Sequence, residues 1–406
     1  MFSRLASDQI KHALAHFRVV AVTGPRQSGK STLVQAVAGD DAIYRNLDEP
    51  NIFSYAQSDP SGFLDVGNSR LIIDEIQRVP ELILPIKARV DKDTRPGQFL
   101  ITGSADLFAL RSVQDSLAGR VLRHSLLPLA QVEIYGTKPA FLATVFAGGI
   151  TNPGPNLKPI EETVASGGFP EALTLPSKPQ RRWLNEYAAL SASRYLEDVA
   201  QVNHANQLPA LLTQLALRTS QTVNLTDLGN VMQLNRGTVD SYVDVLERLF
   251  LISRVKPWFR NEISRLAKTP KLHFVDSGVA AALCRYDPSD LAQRDRFGHL
   301  LETFVFAELS RLMTFDEDPP SIFHLRSHRG EEVDFILETW DRRLVAIEVK
   351  ANATPKYDWF KTMRILRQAL GPAFVQGITL YTGKDIVRFD DRMIAAPISC
   401  LWGEAH

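Results

Sequence analysis

The sequence has little cysteine. Its 406 residues include two, Cys284 and Cys400, which lie far apart and have no cysteine or histidine near them at metal-ligand spacing. Neither a disulfide framework nor a zinc site is indicated. The expected location is a reducing cytoplasm.

A long apolar segment is also missing. No run of about 18 apolar residues occurs, and residues 1–10 lack the apolar core of a signal peptide. We therefore expect neither export nor a membrane span. Net charge is absent as well, since 46 Lys and Arg balance 46 Asp and Glu. Binding of nucleic acid would therefore have to depend on a local basic patch.

The length predicts two or three domains of roughly 100 to 200 residues. Short apolar runs alternate with helical stretches up to about residue 128, which predicts a parallel sheet covered on both faces. The predicted strands are 19–23, 42–47, 70–74, 98–102 and 121–126. The predicted fold class is α/β. The predicted regions are a P-loop domain at 1–135, a helical linker or lid at 136–222, a winged helix at 223–280 and a mixed α/β domain at 281–406.

The segment from Gly24 to Ser31 fits the phosphate-loop spacing of Gly, four residues and Gly-Lys-Ser, between a predicted strand and a predicted helix. Backbone N–H groups of such a loop surround a phosphate, and the helix N-terminus adds a positive dipole end. We expect Lys30 to reach the β- and γ-phosphates and Ser31 to contact Mg²⁺. The predicted nucleotide contacts are Gly24, Pro25, Arg26, Gln27, Ser28, Gly29, Lys30, Ser31 and Thr32.

Two acids follow the apolar run that ends at residue 74. Asp74 is predicted to hold Mg²⁺ through water and Glu75 to polarise the attacking water. After the next strand, Thr102 or Ser104 could sense the γ-phosphate, although Thr-Gly-Ser is also ordinary turn chemistry. Arg120 is either a cationic finger, in the same chain or in a neighbouring subunit, or a solvated side chain.

The motifs GPRQSGKST, LIIDEIQ, ITGSAD, SLAGR, GGFPE and EVD…IEVK occur in that order. Together they resemble the prokaryotic AAA-type ATPases that carry a C-terminal restriction-endonuclease-like domain, over nearly the whole chain. The resemblance implies ATP as the nucleotide, Mg²⁺-dependent hydrolysis and a homo-oligomer such as a hexameric ring. It implies an N-terminal AAA-type parallel sheet and catalytic roles for Lys30, Glu75, Ser104 and Arg120.

Two alternating segments near the C-terminus, 332–337 and 344–349, are predicted to pair as strands through a turn at 339–343. Asp334, Glu348 and Lys350 would then converge, so that two carboxylates could hold Mg²⁺ and the lysine could orient water. An ordinary cross-strand ion pair is the alternative. The set is similar to the PD-(D/E)xK site of restriction-type nucleases, a resemblance that adds Glu302 on the preceding helix. Cleavage itself stays open, because a fold does not determine an activity.

Residues 224–254 predict a helix-turn-helix, with a turn at 235–237, a second helix from Thr238 and Tyr242 facing outward. The segment 248–273 has seven Lys or Arg against one acid and is similar to the wing of a winged-helix domain. The predicted DNA contacts are Arg236, Lys256, Arg260, Arg265, Lys268 and Lys271. The alternative is a lid or adaptor that contacts nucleotide or protein.

The sequence as a whole therefore predicts a cytoplasmic, Mg²⁺-dependent ATPase coupled to DNA binding. Two other hypotheses stay open at this point. One is a slow nucleotide switch that acts as a regulatory scaffold, and the other is an ATP-controlled nuclease.

Overall fold

The computed structural model describes residues 2–103, 117–199, 207–259, 269–326 and 331–404, with the backbone alone at 194–199 and 291. Two compact units are present. The first comprises Met1–Pro128 and Arg248–Phe250, and the second comprises Leu129–Glu247 and Leu251–His406. No helix in these described ranges is long and apolar enough to cross a membrane.

The first unit is built on a parallel sheet with strand order β2-β3-β4-β1-β5. Its strands are β1 (Val19–Thr23), β2 (Ile43–Asn46), β3 (Leu71–Asp74), β4 (Phe99–Gly103) and β5 (Val121–Ser125). Its helices are α1 (Ala6–His16), α2 (Lys30–Val37), α3 (Pro50–Ser58), α4 (Pro60–Leu64) and α5 (Ile83–Lys92), with 3₁₀ turns at Ile76–Arg78 and Pro80–Leu82. The predicted alternation of strands and helices is confirmed.

Alternate residues of β1 explain why both faces of this sheet are covered. Val19 and Ala21 belong to a core that includes residues of α3, α4 and α5, whereas Val20 and Val22 belong to a core that includes residues of α1 and α2. Because side chains alternate across a strand, a fully apolar strand must be buried on both sides. The carboxyl ends of these strands therefore stay accessible as a binding edge.

The second unit begins with helices and a small antiparallel sheet of order β6-β8-β7. Its helices up to this sheet are α6 (Gln131–Tyr135), α7 (Phe141–Phe146), α8 (Ile160–Ser166), α9 (Pro170–Leu173), α10 (Ser177–Val199), α11 (Leu208–Ala216), α12 (Leu225–Met232) and α13 (Arg236–Arg248). Its strands are β6 (Gln221–Thr222), β7 (Ile252–Val255) and β8 (Lys271–Phe274). These elements occur in the order α11, β6, α12, α13, β7, β8, and the winged helix predicted for residues 223–280 stays a prediction.

The second helix of the helix-turn-helix begins earlier than its sequence predicts. The Asn235 carboxamide oxygen accepts a hydrogen bond of 2.8 Å from the Thr238 backbone N–H. Asn235 therefore caps the helix, and α13 starts at Arg236 rather than at Thr238. The turn lies before it, where Gln233 takes a left-handed conformation with φ of 55°.

The rest of the second unit is a mixed sheet of order β13-β14-β12-β11-β10-β9. Its strands are β9 (Ser321–Arg326), β10 (Glu332–Glu338), β11 (Leu344–Lys350), β12 (Phe374–Tyr381), β13 (Val387–Arg388) and β14 (Met393–Pro397). Its helices are α14 (Ser277–Leu283), α15 (Arg294–Met313) and α16 (Lys361–Leu370), with 3₁₀ turns at Leu291–Gln293, Tyr357–Phe360, Gly371–Ala373 and Ile398–Trp402. The predicted antiparallel pairing of β10 with β11 is confirmed.

A buried arginine joins distant parts of the second unit. Arg311 on α15 is 1% exposed, and its guanidinium contacts Glu308 at 2.7 Å and Asp276 at 2.8 Å. The same carboxylates accept backbone N–H groups, Asp276 from Gly168 at 2.7 Å and Glu308 from Gln131 at 2.8 Å. These contacts offset the cost of burying the charges.

The Gly-Gly-Phe-Pro-Glu motif owes its glycines to this network. Gly167 has a φ of +64°, and a Cβ there would lie 2.1 Å from an Asp276 oxygen. A Cβ on Gly168 would lie 2.3 Å from the Leu129 carbonyl oxygen and 3.0 Å from the Arg311 guanidinium. Both positions therefore require a residue without a side chain.

We predict that Gly168→Ala lowers the free energy of unfolding of the second unit by about 1–3 kcal/mol, because the methyl group must displace backbone or a buried guanidinium. Urea unfolding followed by circular dichroism measures the effect. Gly298→Ala is the matched control, since Gly298 lies within α15 and its Cβ would meet open space. Equal midpoints for the two variants would contradict this prediction.

Candidate functional site

The phosphate loop connects β1 to α2 in the first unit. Gly24 has a φ of +153°, and a Cβ there would lie 2.2 Å from the Leu126 carbonyl oxygen. Gly29 precedes α2 in a left-handed conformation with φ of 92°. The two glycines therefore allow the loop to pass close to the end of β5 and to turn directly into the helix. The loop ends at the helix N-terminus, where an anion is stabilised.

Lys30 is buried inside this loop at 4% exposure. Its ammonium donates hydrogen bonds to the carbonyl oxygens of Gly24 at 3.1 Å and Pro25 at 2.8 Å. Burial lowers the pKa of Lys30 to about 8, although the carboxylates of Glu75 and Asp74 oppose the shift. Among the described residues the ammonium is hydrogen-bonded to carbonyl oxygens and not to a carboxylate, and a phosphate in the loop would supply an anion.

The Ser28 hydroxyl is a second sign that the loop fits a ligand. It is buried and has no hydrogen-bond partner among the described residues. Such a group normally finds a partner in a folded protein. Of the other predicted nucleotide contacts, Arg26 and Ser31 are half-buried and Gln27 and Thr32 are exposed.

Asp74, at the end of β3, is fixed by two hydroxyl groups. It is 1% exposed, and its Oδ2 accepts a hydrogen bond of 2.6 Å from the Tyr44 hydroxyl on β2. Its Oδ1 accepts one from the Thr102 hydroxyl on β4. Burial and the Asp74 hydrogen bond raise the pKa of Tyr44, so the tyrosine stays a donor. The carboxylate is thus oriented before any metal ion binds.

Glu75 follows in a left-handed conformation with φ of 59°, which is unusual for a residue with a side chain. Its backbone N–H donates to the Thr102 hydroxyl at 3.0 Å, and its carboxylate accepts a hydrogen bond from Gln77. The Thr102 hydroxyl therefore connects the two acidic residues, because it donates to the Asp74 carboxylate and accepts from the Glu75 backbone N–H. Ser104, the alternative sensor of the γ-phosphate, lies outside the described residues.

Arg120 forms an ion pair on the surface of the first unit. Its guanidinium contacts Asp91 of α5 at 3.1 Å and the Ala118 carbonyl oxygen at 3.0 Å. Of the two predicted roles, a solvated side chain describes this arrangement. A role in a neighbouring subunit stays a prediction.

Two residues of this site are not identifiable from the sequence pattern. Tyr44 lies on the strand before the acids, and no known spacing marks it as their partner. Arg4 lies ahead of α1, and its guanidinium donates to the carbonyl oxygens of Ser28 and Leu127, each at 2.7 Å. Arg4 thereby ties the phosphate loop to the chain that follows β5.

The C-terminal carboxylates lie together in the second unit, as predicted, but a lysine lies among them. Lys271 of β8 contacts Glu302 of α15 at 2.6 Å, Asp334 of β10 at 3.1 Å and Glu332 at 3.3 Å. It is 4% exposed, and the carboxylates raise its pKa against the effect of burial. The prediction that Lys271 contacts DNA is therefore wrong, because its ammonium is enclosed by acids.

Glu348 and Lys350 of β11 complete this group. Their side chains pair at 2.6 Å, and the Val349 backbone N–H between them donates to Asp334 at 2.9 Å. Burial and the nearby Asp334 raise the pKa of Glu348 to about 8, and burial raises the pKa of Glu302 as well. No group of three or more His, Cys, Asp or Glu side chains in the described ranges is arranged to hold a metal ion.

The exposed basic surface in the segment 223–280 is smaller than its composition indicates. The guanidinium of Arg254 contacts Asp244 at 2.6 Å and Glu247 at 2.5 Å on α13, and Tyr242 is buried rather than outward. Arg236, Arg248 and Lys256 are exposed. The predicted DNA contacts Arg260, Arg265 and Lys268 lie outside the described residues.

Comparisons with known proteins identify a family model that matches most of the first unit. Residues 16–135 match the family model of an AAA domain. Residues 157–290 and 297–401 match two families described as domains of unknown function, DUF8612 and DUF4143. The first match supports an AAA-type ATPase domain, and the α/β fold class predicted for the chain is confirmed. The likeness of the C-terminal domain to restriction endonucleases stays a prediction.

Several relatives match along most of the chain. An uncharacterized protein of Mycobacterium tuberculosis is 27% identical over 400 residues, covering 97% of this chain and 83% of the relative. One of Haemophilus influenzae is 24% identical over 365 residues, covering 82% and 84%.

Two solved structures show a weaker likeness. A STAND ATPase with a tetratricopeptide repeat sensor from Pyrococcus horikoshii has a TM-score of 0.28 and 15% identity, over 78% of this chain and 47% of that one. PCH-2 of C. elegans has a TM-score of 0.21 and 12% identity, over 59% and 65%. Each match thus spans less than two thirds of the solved chain. TM-scores this low do not establish a shared fold.

We predict that Tyr44→Phe raises the Mg²⁺ concentration needed for half-maximal ATP turnover about tenfold, because Asp74 loses a charge-assisted hydrogen bond that orients it. Turnover measured against Mg²⁺ concentration gives the value. Tyr55→Phe, at an exposed position of α3, is the control and should leave this Mg²⁺ concentration unchanged. An unchanged Mg²⁺ dependence in Tyr44→Phe would show that Tyr44 does not position Asp74.

Proposed function

Because the chain carries an AAA-type ATPase domain, we propose that it is a Mg²⁺-dependent ATP hydrolase whose nucleotide state is coupled to DNA binding, in an assembly of several copies of the chain. The observation that carries the ATPase proposal is the buried Lys30 ammonium on the carbonyl oxygens of Gly24 and Pro25. A buried cation without a directly bonded anion is stabilised by a phosphate.

Each residue of the site has a role that its geometry supports. Lys30 would leave the loop carbonyl oxygens and pair with the β- and γ-phosphates. The Ser31 hydroxyl and the Asp74 carboxylate are oxygen ligands of the kind that Mg²⁺ prefers, and Mg²⁺ would neutralise phosphate charge. Glu75, held by Thr102 and Gln77, would orient the attacking water and accept its proton.

We predict that Lys30→Ala weakens ATP binding at least about tenfold, because the phosphates lose a charged donor. Glu75→Gln should keep ATP affinity while turnover falls by about 10²–10⁴, the usual contribution of a general base. Binding of a fluorescent ATP analogue and release of phosphate measure the two effects. Glu81→Gln, an exposed acid nearby, is the control. Full turnover by Glu75→Gln would reassign the base.

The coupling to DNA is supported by the winged-helix order of elements and by exposed Arg236, Arg248 and Lys256. Cations on such a surface neutralise backbone phosphates and release counterions. The recognition helix α13 would lie against the groove. DNA bound there would favour one nucleotide state of the AAA-type domain.

A second function is favoured by the acids on α13. Arg254 is neutralised by Asp244 and Glu247, and Lys271 is enclosed in the second unit. A surface with these cations removed suits a protein partner better than a nucleic acid. The corresponding proposal is a slow nucleotide switch that acts as a regulatory scaffold.

We predict that double-stranded DNA increases ATP turnover and that Lys256→Glu reduces both the increase and the salt slope of DNA binding by about one counterion. Turnover with and without DNA, over a series of salt concentrations, measures both. Lys384→Glu, at an exposed lysine in the loop between β12 and β13, is the control. Turnover that is indifferent to DNA would favour the scaffold.

A further inference from the structure

The carboxylates of the C-terminal sheet surround a nitrogen atom. Oxygens of Glu302, Asp334 and Glu332 lie 2.6, 3.1 and 3.3 Å from the Lys271 Nζ. An ammonium has three N–H donors, of which two are used in hydrogen bonds to Asp334 and Glu332, while the Glu302 carboxylate is the nearest of the three acids. The position at which these acids converge is therefore filled by a positive charge of the chain itself.

Two further carboxylate oxygens also have partners within the chain. The second oxygen of Asp334 accepts the Val349 backbone N–H at 2.9 Å, and Glu348 pairs with Lys350 at 2.6 Å. A divalent cation of the Mg²⁺ class needs direct oxygen ligands at about 2.0–2.1 Å in octahedral geometry. The acids of this site do not fit such an ion, since Lys271 lies where three of them converge and Lys350 and the Val349 backbone N–H engage further oxygens.

Lys271 is held where it is by its strand. It belongs to β8, which pairs with β6 and β7, and its neighbours Leu272 and Phe274 are 3% and 0% exposed. The chain after β7 is in turn bonded to β9, since the Trp258 N–H donates to the His324 carbonyl at 2.6 Å and the His324 N–H to that of Lys256 at 3.0 Å. The lysine is therefore presented to the acids by ordered backbone.

We propose that Lys271 is a built-in cation that takes the place of a divalent metal ion among Glu302, Asp334 and Glu332. The group is then a closed ion-pair cluster that joins the winged-helix sheet to the C-terminal sheet. It does not support metal-dependent cleavage of DNA. The proposal is independent of ATP hydrolysis, which uses the first unit.

Binding of Mn²⁺ to the full chain without nucleotide tests this proposal, with free Mn²⁺ followed by electron paramagnetic resonance. Asp74→Asn in every sample removes the predicted metal ligand of the first unit. The protein with Lys271 should bind no Mn²⁺ at this cluster up to about 1 mM. Lys271→Met, which keeps the stem and removes the charge, should gain one Mn²⁺ site, and adding Asp334→Asn should remove it.

Two results would overturn the proposal. One is an Mn²⁺ site in the protein with Lys271 that Asp334→Asn abolishes, and the other is a folded Lys271→Met variant that gains no site. Should Lys271→Met fail to fold, the rate of acetylation of Lys271 in the unsubstituted protein is measured instead. The acetylation rate of the exposed Lys256 is the internal reference. Lys271 should be protected to the same degree with and without Mn²⁺, and a faster reaction in Mn²⁺ would contradict the proposal.

Discussion

Burying a charge is costly unless a partner of opposite charge is buried with it, and this constraint organises the second unit. The buried charge of Arg311 is compensated by the carboxylates of Asp276 and Glu308. Those two carboxylates also accept hydrogen bonds from the backbone N–H groups of Gly168 and Gln131. Segments more than a hundred residues apart must therefore come together before the arginine is neutralised.

The two buried lysines show the same constraint with opposite outcomes. Lys30 and Lys271 are each 4% exposed. Among the described residues the hydrogen-bond acceptors of Lys30 are two carbonyl oxygens, and burial lowers its pKa to about 8, whereas the carboxylates around Lys271 raise the pKa of that lysine. A lysine that is buried with incomplete compensation indicates where an anion belongs, and a fully compensated one indicates a structural role. This contrast supports the assignment of the ligand site to the first unit.

Much of this could be predicted from the sequence, because the informative signals are local. The apolar runs of β1 and β3, the phosphate-loop spacing and the alternation in β10 and β11 each lie within about ten residues. Long-range partners leave no such signal. The bond from Tyr44 to Asp74 depends on which strands become neighbours, and the contact of Lys271 with Glu302 depends on which helix packs beside β8. The run of basic residues around Lys271 favoured an exposed wing, since composition does not show which cations have acids beside them.

The attachment of Arg4 has a mechanical consequence. Its guanidinium donates hydrogen bonds to the phosphate loop at Ser28 and to the chain at Leu127. Pro128, the next residue, ends the segment Met1–Pro128 of the first unit. Because one guanidinium bonds to both segments, the position of the phosphate loop is coupled to that of the residues just before Pro128.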